Sequence, residues 1–209
     1  MAAHTHDPSE PLKKIVITGG PGAGKTAVLE LLRRCVCEHV HIVRESASLV
    51  FGGGFPRVPE LGGRRAAQRA IFYVQRELEE VASASGTGVL LCDRATVDGA
   101  AYWPGPGELW STVGTTLNAQ LARYHAVIHL RTPTAEGGYN HQNPLRIESA
   151  IEAAAIDARI AEAWNGHPRR YEVPATTDFL AKATAAIDIL RGELPSFCGA
   201  ALRYARQAS

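Results

Sequence analysis

The sequence predicts an α/β fold in which a parallel β-sheet is covered by helices on both faces. Short runs of β-branched and apolar residues, each about as long as a buried strand, alternate with segments of helical periodicity. The first run ends in a cluster of glycines that leads into a helix, which is typical of a strand–turn–helix unit. Such alternation brings ligands to the carboxyl ends of the strands, so we expect the functional site at that edge of the sheet.

Five strands and five helices are predicted in alternating order. The predicted strands are residues 13–18, 39–43, 89–92, 126–130 and 170–173. The predicted helices are residues 24–36, 60–84, 110–124, 146–164 and 178–190, the last with Asp178 as its N-cap. The segments that leave the carboxyl ends of the strands are predicted to be irregular and to carry the site: 19–25, 45–59, 93–108 and 132–145.

Composition and charge indicate a globular protein of one domain without a polyanionic partner. The chain has 209 residues, 45% of them hydrophobic, and 22 basic residues against 21 acidic ones give a net charge of +1. Because this charge exerts no long-range attraction, binding to nucleic acid or to an anionic membrane is not expected. No apolar run approaches the ~20 residues that span a bilayer. The first twelve residues lack the apolar run that a secretory signal contains. We therefore expect a cytoplasmic protein. The predicted organisation is a flexible tail (1–11), a domain (12–192) and a C-terminal extension (193–209).

Residues 19–26, GGPGAGKT, match the phosphate-loop pattern G-x-x-x-x-G-K-[ST]. The motif follows a predicted strand and opens a predicted helix, which is the context it requires. Its backbone N–H groups would surround phosphate oxygens, Lys25 would neutralise the β- and γ-phosphates, and Thr26 would bind magnesium. A strand-to-helix turn without a ligand has no use for a buried lysine. The predicted nucleotide-binding residues are Gly19, Gly20, Pro21, Gly22, Ala23, Gly24, Lys25, Thr26 and Ala27.

Acidic residues follow the second and third predicted strands. Asp93 ends the third strand, as the acid of a Walker B element does, and is expected to bind magnesium; a strand-end cap is the alternative. Arg94 stands where motor ATPases have a second acid that polarises water, which argues against efficient hydrolysis. Glu45 is expected across the crevice from the phosphates, where it would orient an acceptor hydroxyl and accept its proton. A solvated acid at a strand end is the alternative for Glu45.

Further polar residues are candidates for contact with an acceptor. Asp98 is expected either to contact substrate or to cap a helix. Gln68 and Gln75 are seven residues apart and therefore on one face of the long helix, where they and Arg76 would face an acceptor pocket. A hydrated outer face of this helix is the alternative.

The segment of about residues 132–146 is predicted to be a mobile lid, because it is rich in glycine, asparagine and proline. Arg131 and Arg146 flank it. Arginines on such a segment can close over a triphosphate, exclude water and stabilise charge in the transition state. Arg146 is favoured, since it begins the next predicted helix and can turn inward. A surface position is the alternative for both arginines.

The series ITGGPGAGKT, RESAS, CDRATVDGAAYW and NPLRIESAIEAAAID resembles the P-loop AAA-type ATPase/kinase family that includes the ribosylnicotinamide kinase domain of a bacterial NAD regulator. The resemblance covers about residues 10–192 and implies a three-layer P-loop NTPase fold, with five parallel strands in the order 2-3-1-4-5, that binds ATP and magnesium. It also implies that Asp93 and Arg94 lie at the reaction centre, Arg146 on a lid and Glu45 on the acceptor side. The residues after Asp93 depart from the better-known members, so the acceptor is not identified.

These observations predict a small-molecule kinase that transfers the γ-phosphoryl group of ATP to a hydroxyl of a nucleoside-like acceptor. The alternative is a nucleotide-dependent binding protein or slow NTPase, in which loops change order with the γ-phosphate. GTP is the second candidate nucleotide, although the chain contains neither N-K-x-D nor D-x-x-G. The predicted catalytic residues are Lys25, Asp93, Arg146 and Glu45. The predicted substrate contacts are Glu45, Arg94, Asp98 and Gln75.

Overall fold

A computed structural model describes residues 11–35, 39–84, 88–133, 149–176 and 178–194. Its centre is a sheet of five parallel strands in the order β2–β3–β1–β4–β5, which confirms the predicted order. β1 pairs with both β3 and β4, so the loop after β1 leaves from the middle of the sheet. The strands are β1 (Lys13–Thr18), β2 (Val40–Val43), β3 (Val89–Asp93), β4 (Ala126–Leu130) and β5 (Arg170–Val173).

Helices cover both faces of the sheet and give the predicted three layers. Side chains alternate along each strand: Ile15 and Ile17 of β1 pack towards α1 and α8, whereas Val16 packs towards α3, α6 and α7. Both faces of the central strands are therefore buried. The helices are α1 (Lys25–Cys35), α2 (Ser46–Gly52), α3 (Leu61–Ser83), α4 (Gly99–Tyr102), α5 (Leu109–Thr112), α6 (Leu117–Leu121), α7 (Ala150–Ala163) and α8 (Phe179–Glu193).

The predicted helix over 110–124 is wrong, because two short helices, α5 and α6, occupy this part of the chain. Gly114 has φ +67 between them, a left-handed conformation that ends α5. Thr116 then starts α6 as its N-cap, since its hydroxyl accepts a hydrogen bond from the Ala119 N–H. Gly114 and Thr116, which the sequence analysis placed inside one helix, therefore separate two helices.

Parts of two segments predicted to be irregular are helical. Within 45–59, α2 is a helix of seven residues that ends at the glycines 52–54. Within 93–108, a single 3₁₀ turn (Thr96–Asp98) precedes α4. Both helices lie in segments where the sequence predicts the site.

The capping residues of the last two helices are seen directly. Ser149 and Glu152 form a capping box at the start of α7, and Asp178 accepts a hydrogen bond from the Ala181 N–H, as predicted. The helix α8 extends to Glu193, beyond its predicted end. Among the helices that the structure describes, none has the length and apolarity to cross a membrane.

Candidate nucleotide-binding and active site

The phosphate loop is the turn between β1 and α1, and its glycines are required by the geometry. Gly19 has φ +140, and a Cβ at this position would lie 2.1 Å from the carbonyl oxygen of Leu130 on the neighbouring strand. Gly22 and Gly24 also have positive φ. The chain can therefore turn tightly against β4 only because side chains are absent here.

Lys25, the first residue of α1, lies inside this turn. Its ammonium donates hydrogen bonds to the carbonyl oxygens of Gly19 (3.0 Å) and Gly20 (2.9 Å). Burial, followed by the positive charge of Arg94, lowers the pKa of Lys25 to about 8. A buried cation whose charge is disfavoured gains most from an anionic ligand, and phosphate oxygens would supply that charge.

The carboxylate of Asp157 on α7 accepts a hydrogen bond from the backbone of the phosphate loop. The Gly20 N–H donates to Oδ1 of Asp157 (2.8 Å), an α7 residue whose same oxygen lies 2.8 Å from Nε2 of His129. Arg131 lies 3.3 Å from the other oxygen. Burial raises the pKa of Asp157, but the hydrogen bonds from His129 and Gly20 lower it more, so its pKa lies below the usual range.

Sequence analysis missed this role of Asp157. A signal was present: an acid occurs on the buried face of α7 between Ala153 and Ile160, where periodicity calls for an apolar residue. An acid at such a position must have partners, because an isolated buried charge is costly. The sequence does not show, however, that one partner is the backbone of the phosphate loop.

Asp93 and Thr26 are placed together on the wall of one cavity. Oδ1 of Asp93 is buried and has no hydrogen-bond partner among the described residues, while Thr26 is exposed. Burial raises the pKa of Asp93 to about 6, against the opposing charge of Lys25. The described residues contain no group of three or more His, Cys, Asp or Glu side chains that could hold a metal ion by themselves. This donor set fits magnesium, which is held by one or two protein oxygens together with water and substrate phosphates.

Arg94 connects the two sides of the site. Its Nε lies 2.7 Å from Oε1 of Glu45, and its Nη1 lies 3.4 Å from Oδ2 of Asp98. Ser48 also donates to Glu45. Burial raises the pKa of Glu45, but Arg94 and then Lys25 lower it more, so Glu45 is ionised at neutral pH. Glu45 thus lies in the cavity as a fixed carboxylate.

Asp98 is buried, and its oxygens accept hydrogen bonds from three elements. Thr18 Oγ1 lies 2.6 Å from Oδ2, Trp164 Nε1 lies 2.7 Å from Oδ1, and Arg94 completes the set. The capping alternative is wrong, because Asp98 precedes α4 but its side chain makes no capping hydrogen bond. Asp98 also lines the cavity, so contact with substrate stays a prediction.

The two glutamines of α3 are separated by the structure. Gln68 lines the cavity, whereas Gln75 is only 1% exposed and donates to Glu79 (3.1 Å) and to the carbonyl oxygen of Arg94 (3.5 Å). Gln75 is therefore not brought to the cavity, contrary to its predicted contact with substrate. The two glutamines are seven residues apart, which is about 10 Å along the helix axis. They therefore lie on the same face of α3 but contact different residues. Arg76 is exposed and lies outside the cavity wall.

The predicted lid, 132–146, is described only at its start. Thr132 donates to the carbonyl oxygen of Pro21 (3.2 Å), and Arg131 pairs with Asp157. Arg146 lies outside the described residues. Its role on a lid therefore stays a prediction.

A cavity of about 640 Å³ joins these groups. The phosphate loop forms one part of its wall, and the segment 93–102 forms the floor beside it. The remainder of the wall comes from α2, the following loop and the first half of α3, and it includes residues that sequence analysis did not single out. These are Ser46, Ala47, Ser48, Phe51, Pro56, Arg57, Val58, Pro59, Gly63, Arg64, Ala67 and Ile71; the segment 93–102 adds Ala95, Gly99 and Tyr102.

Comparison with known proteins agrees with this architecture. The sequence profile described as "AAA domain" matches residues 14–181. A similar solved structure is deoxyadenosine kinase from M. mycoides with bound dATP, with a TM-score of 0.58 and 13% identity over 85% of this chain and 98% of that chain. No curated protein sequence matched. The ribosylnicotinamide kinase resemblance is not among these findings and stays a prediction. The match over most of the domain and the phosphate-loop geometry show that the chain is a nucleotide-binding P-loop protein and belongs to the AAA domain family.

Proposed function

We propose that the protein is an ATP- and magnesium-dependent kinase that transfers the γ-phosphoryl group to a hydroxyl of a nucleoside-like molecule. The observation that carries this proposal is the cavity, which continues from the phosphate loop into a second wall formed by α2 and α3. The volume of about 640 Å³ includes the phosphate-loop end, where the nucleotide phosphates would lie, and the part between α2 and α3 lies beside it. Hydrolysis needs room beyond the nucleotide only for water, whereas a small-molecule acceptor needs a pocket of this kind. The likeness to a deoxyadenosine kinase supports the same class of reaction.

On the donor side, the phosphate loop binds and orients the triphosphate. Lys25 places a positive charge in a buried position, where it interacts with phosphate oxygens more strongly than it would in water. Thr26 and Asp93 are the residues that would hold magnesium. Magnesium held by these two residues would supply positive charge that neutralises the phosphate oxygens during transfer.

On the acceptor side, Glu45 orients the hydroxyl. Arg94 keeps this carboxylate ionised and fixed in position, so it can accept a hydrogen bond from the acceptor O–H. As the acceptor oxygen bonds to the γ-phosphorus, the bond to the β–γ bridging oxygen breaks and the hydroxyl proton passes to Glu45. The products are a phosphate ester and ADP.

Release of ADP, measured with and without acceptors, tests the proposal. The full chain is incubated with ATP and magnesium and with nucleosides, nucleotides, sugars or small alcohols. Release that depends strongly on one acceptor class, together with a phosphorylated product in equal amount, supports a kinase. Slow release at the same rate with every acceptor contradicts the proposal and supports the slow NTPase alternative.

A further inference from the structure

Four cationic side chains of the described residues line the cavity, and only Arg94 among them forms an ion pair with a described acid. Lys25 is held by the phosphate loop, and Arg94 is paired with Glu45 and Asp98. Arg57 and Arg64 line the same cavity, yet neither forms an ion pair with a described acid. Arg57 and Arg64 are thus exposed cations on the cavity wall whose guanidinium groups form no ion pair with a described acid.

The backbone of Arg64 lies away from the reaction centre. Gln75 of α3 contacts the carbonyl oxygen of Arg94, and Arg64 is eleven residues earlier on the same helix. At 1.5 Å per residue, Arg64 lies about 16 Å further along the axis. The cavity wall follows this helix through Ile71 and Gln68 to Arg64. A molecule with its hydroxyl at Glu45 that follows this wall would bring its opposite end towards Arg64.

Arg57 is held in a position from which it can bind an anion. Its guanidinium carbon lies 4.0 Å from the centre of the Phe51 ring, and Phe51 also lines the cavity. Stacking uses the face of the guanidinium and leaves the N–H donors at its edge for a ligand. Arg64 lies in the first turn of α3, where the helix dipole favours an anion. This turn contains no acidic residue, and the exposed N-cap residue Glu60 makes no side-chain capping hydrogen bond.

We propose that the acceptor carries an oxyanion, a carboxylate or a phosphomonoester, at the end remote from the hydroxyl, and that Arg57 and Arg64 bind it. The proposal rests on the proposed kinase function, because it describes the acceptor of that reaction. An oxyanion would provide the anionic partner that Arg57 and Arg64 lack among the described acids. Its oxygens would accept hydrogen bonds from the paired N–H groups of each arginine. Neighbouring Arg65 does not take part: it contacts the carbonyl oxygens of Pro104 and Pro106 and is a structural residue.

Matched pairs of probes that differ by one oxyanion test the proposal by binding. The full chain is saturated with magnesium and a non-hydrolysable ATP analogue, so that the phosphate loop is filled. 5-Carboxyuridine is then compared with uridine for a carboxylate, and adenosine 3′-monophosphate with adenosine for a phosphomonoester, because both charged probes keep a free 5′-hydroxyl. We expect the charged member of at least one pair to bind at least tenfold more tightly, and the responding pair identifies the oxyanion.

Variants assign this preference to the two arginines. Arg57→Gln and Arg64→Gln should each reduce the preference, their combination should abolish it, and Arg64→Lys should retain part of it because the charge remains. Arg76→Gln is the matched control, since Arg76 is exposed on the same helix but outside the cavity. Melting temperatures establish that each variant is folded.

Three results would overturn the proposal: equal affinity within both pairs, a preference that persists in the double variant, or no binding of any probe. Phosphoryl transfer to these probes is measured separately. Transfer to charged and neutral members with equal affinity would leave the kinase function standing and overturn the oxyanion site. Tight binding of a charged probe that depends on Arg57 and Arg64, with no transfer to any acceptor, would support the oxyanion site and contradict the kinase function.

Discussion

Asp157 and Glu45 are acids on opposite sides of the site, and each pairs with an arginine. The Asp157 side chain is 4% exposed, and its oxygens are occupied by the Gly20 N–H and by Arg131. The Glu45 side chain is 27% exposed and lines the cavity beside Arg94. An ion pair therefore does not distinguish a structural acid from a functional one. Access to the cavity does, because only Glu45 can reach a ligand.

The backbone shows a second difference between the two sides. On the phosphate side, positive φ angles fall on glycines, where they cost little. On the acceptor side, Arg94 has φ +66 and is the only described residue other than glycine with a positive φ. Such a conformation costs about 1–3 kcal/mol and persists only where the surroundings hold it. The ion pairs of Arg94 with Glu45 and Asp98 and its N–H bond to the Ile17 carbonyl hold it here.

Replacement of Lys25, the buried cation of the phosphate loop, should have the largest effect on ATP binding and turnover. Lys25→Ala is expected to abolish tight ATP binding and turnover without unfolding the protein. The phosphates lose their buried counter-charge, whereas the fold loses a cation whose pKa of about 8 shows that burial disfavours its charge. Titration with ATP and a thermal melt measure the two effects.

Lys182→Ala is a matched control for this variant. Lys182 is also buried, and burial lowers its pKa to about 8, but it donates to the carbonyl oxygen of Arg131 and does not line the cavity. Its replacement should leave ATP affinity within a few fold of that of the unmodified protein. Normal ATP affinity in the Lys25→Ala variant would contradict the phosphate-loop assignment.

The two acids at the reaction centre should separate transfer from hydrolysis. Glu45→Gln is expected to retain nucleotide affinity and background ATPase activity but to lose about 10² to 10⁴ in transfer rate, the range for a positioned base. Asp93→Asn should lose both activities, because the magnesium ligand serves every reaction of the γ-phosphate. Initial rates of ADP release with and without acceptor distinguish the two variants. Equal loss of nucleotide binding in both would favour a nucleotide switch over a kinase.

Magnesium and ATP together should stabilise the folded protein. A ligand that binds only the native state adds about 2.7 kcal/mol at a hundredfold excess over Kd. Differential scanning fluorimetry should show this rise in the unmodified protein and in the Glu45→Gln variant, but not in the Lys25→Ala variant. In the Asp93→Asn variant, ATP should still raise the melting temperature, and added magnesium should increase it little further. An equal rise in all four proteins would place the nucleotide elsewhere.

The strands and the phosphate loop could be predicted because their signals are local. A buried parallel strand is a run of apolar residues. The motif GGPGAGKT contains the glycines that the tight turn of a phosphate loop requires. The family resemblance supplied the strand order. The acceptor side was harder to predict, because its residues come together from separate elements. Nothing in the local sequence shows that Gln75 faces Arg94 while Gln68 faces the cavity, or that Arg57 stacks on Phe51.

Asp157→Asn should produce the smallest of these effects and should sharpen the contrast with Glu45. Asparagine keeps an oxygen for the Gly20 N–H but loses the charge beside His129 and Arg131, so we expect a loss of about 1.5 kcal/mol in the free energy of unfolding at pH 7. Urea unfolding measures it. The pKa of Asp157 is below its unfolded value of about 3.9, so its contribution is present above that pH and disappears as the pH falls through the folded pKa.

The stability difference between the unmodified protein and the Asp157→Asn variant should therefore shrink below about pH 4, since the carboxylate becomes protonated in the unmodified protein. A difference that stays constant with pH would show that the charge of Asp157 does not stabilise the phosphate loop. Transfer measured at saturating ATP should change little in this variant, because Asp157 does not line the cavity. Glu45→Gln should show the opposite pattern, a large loss of transfer with a smaller loss of stability, because its partly exposed ion pair with Arg94 is screened by solvent.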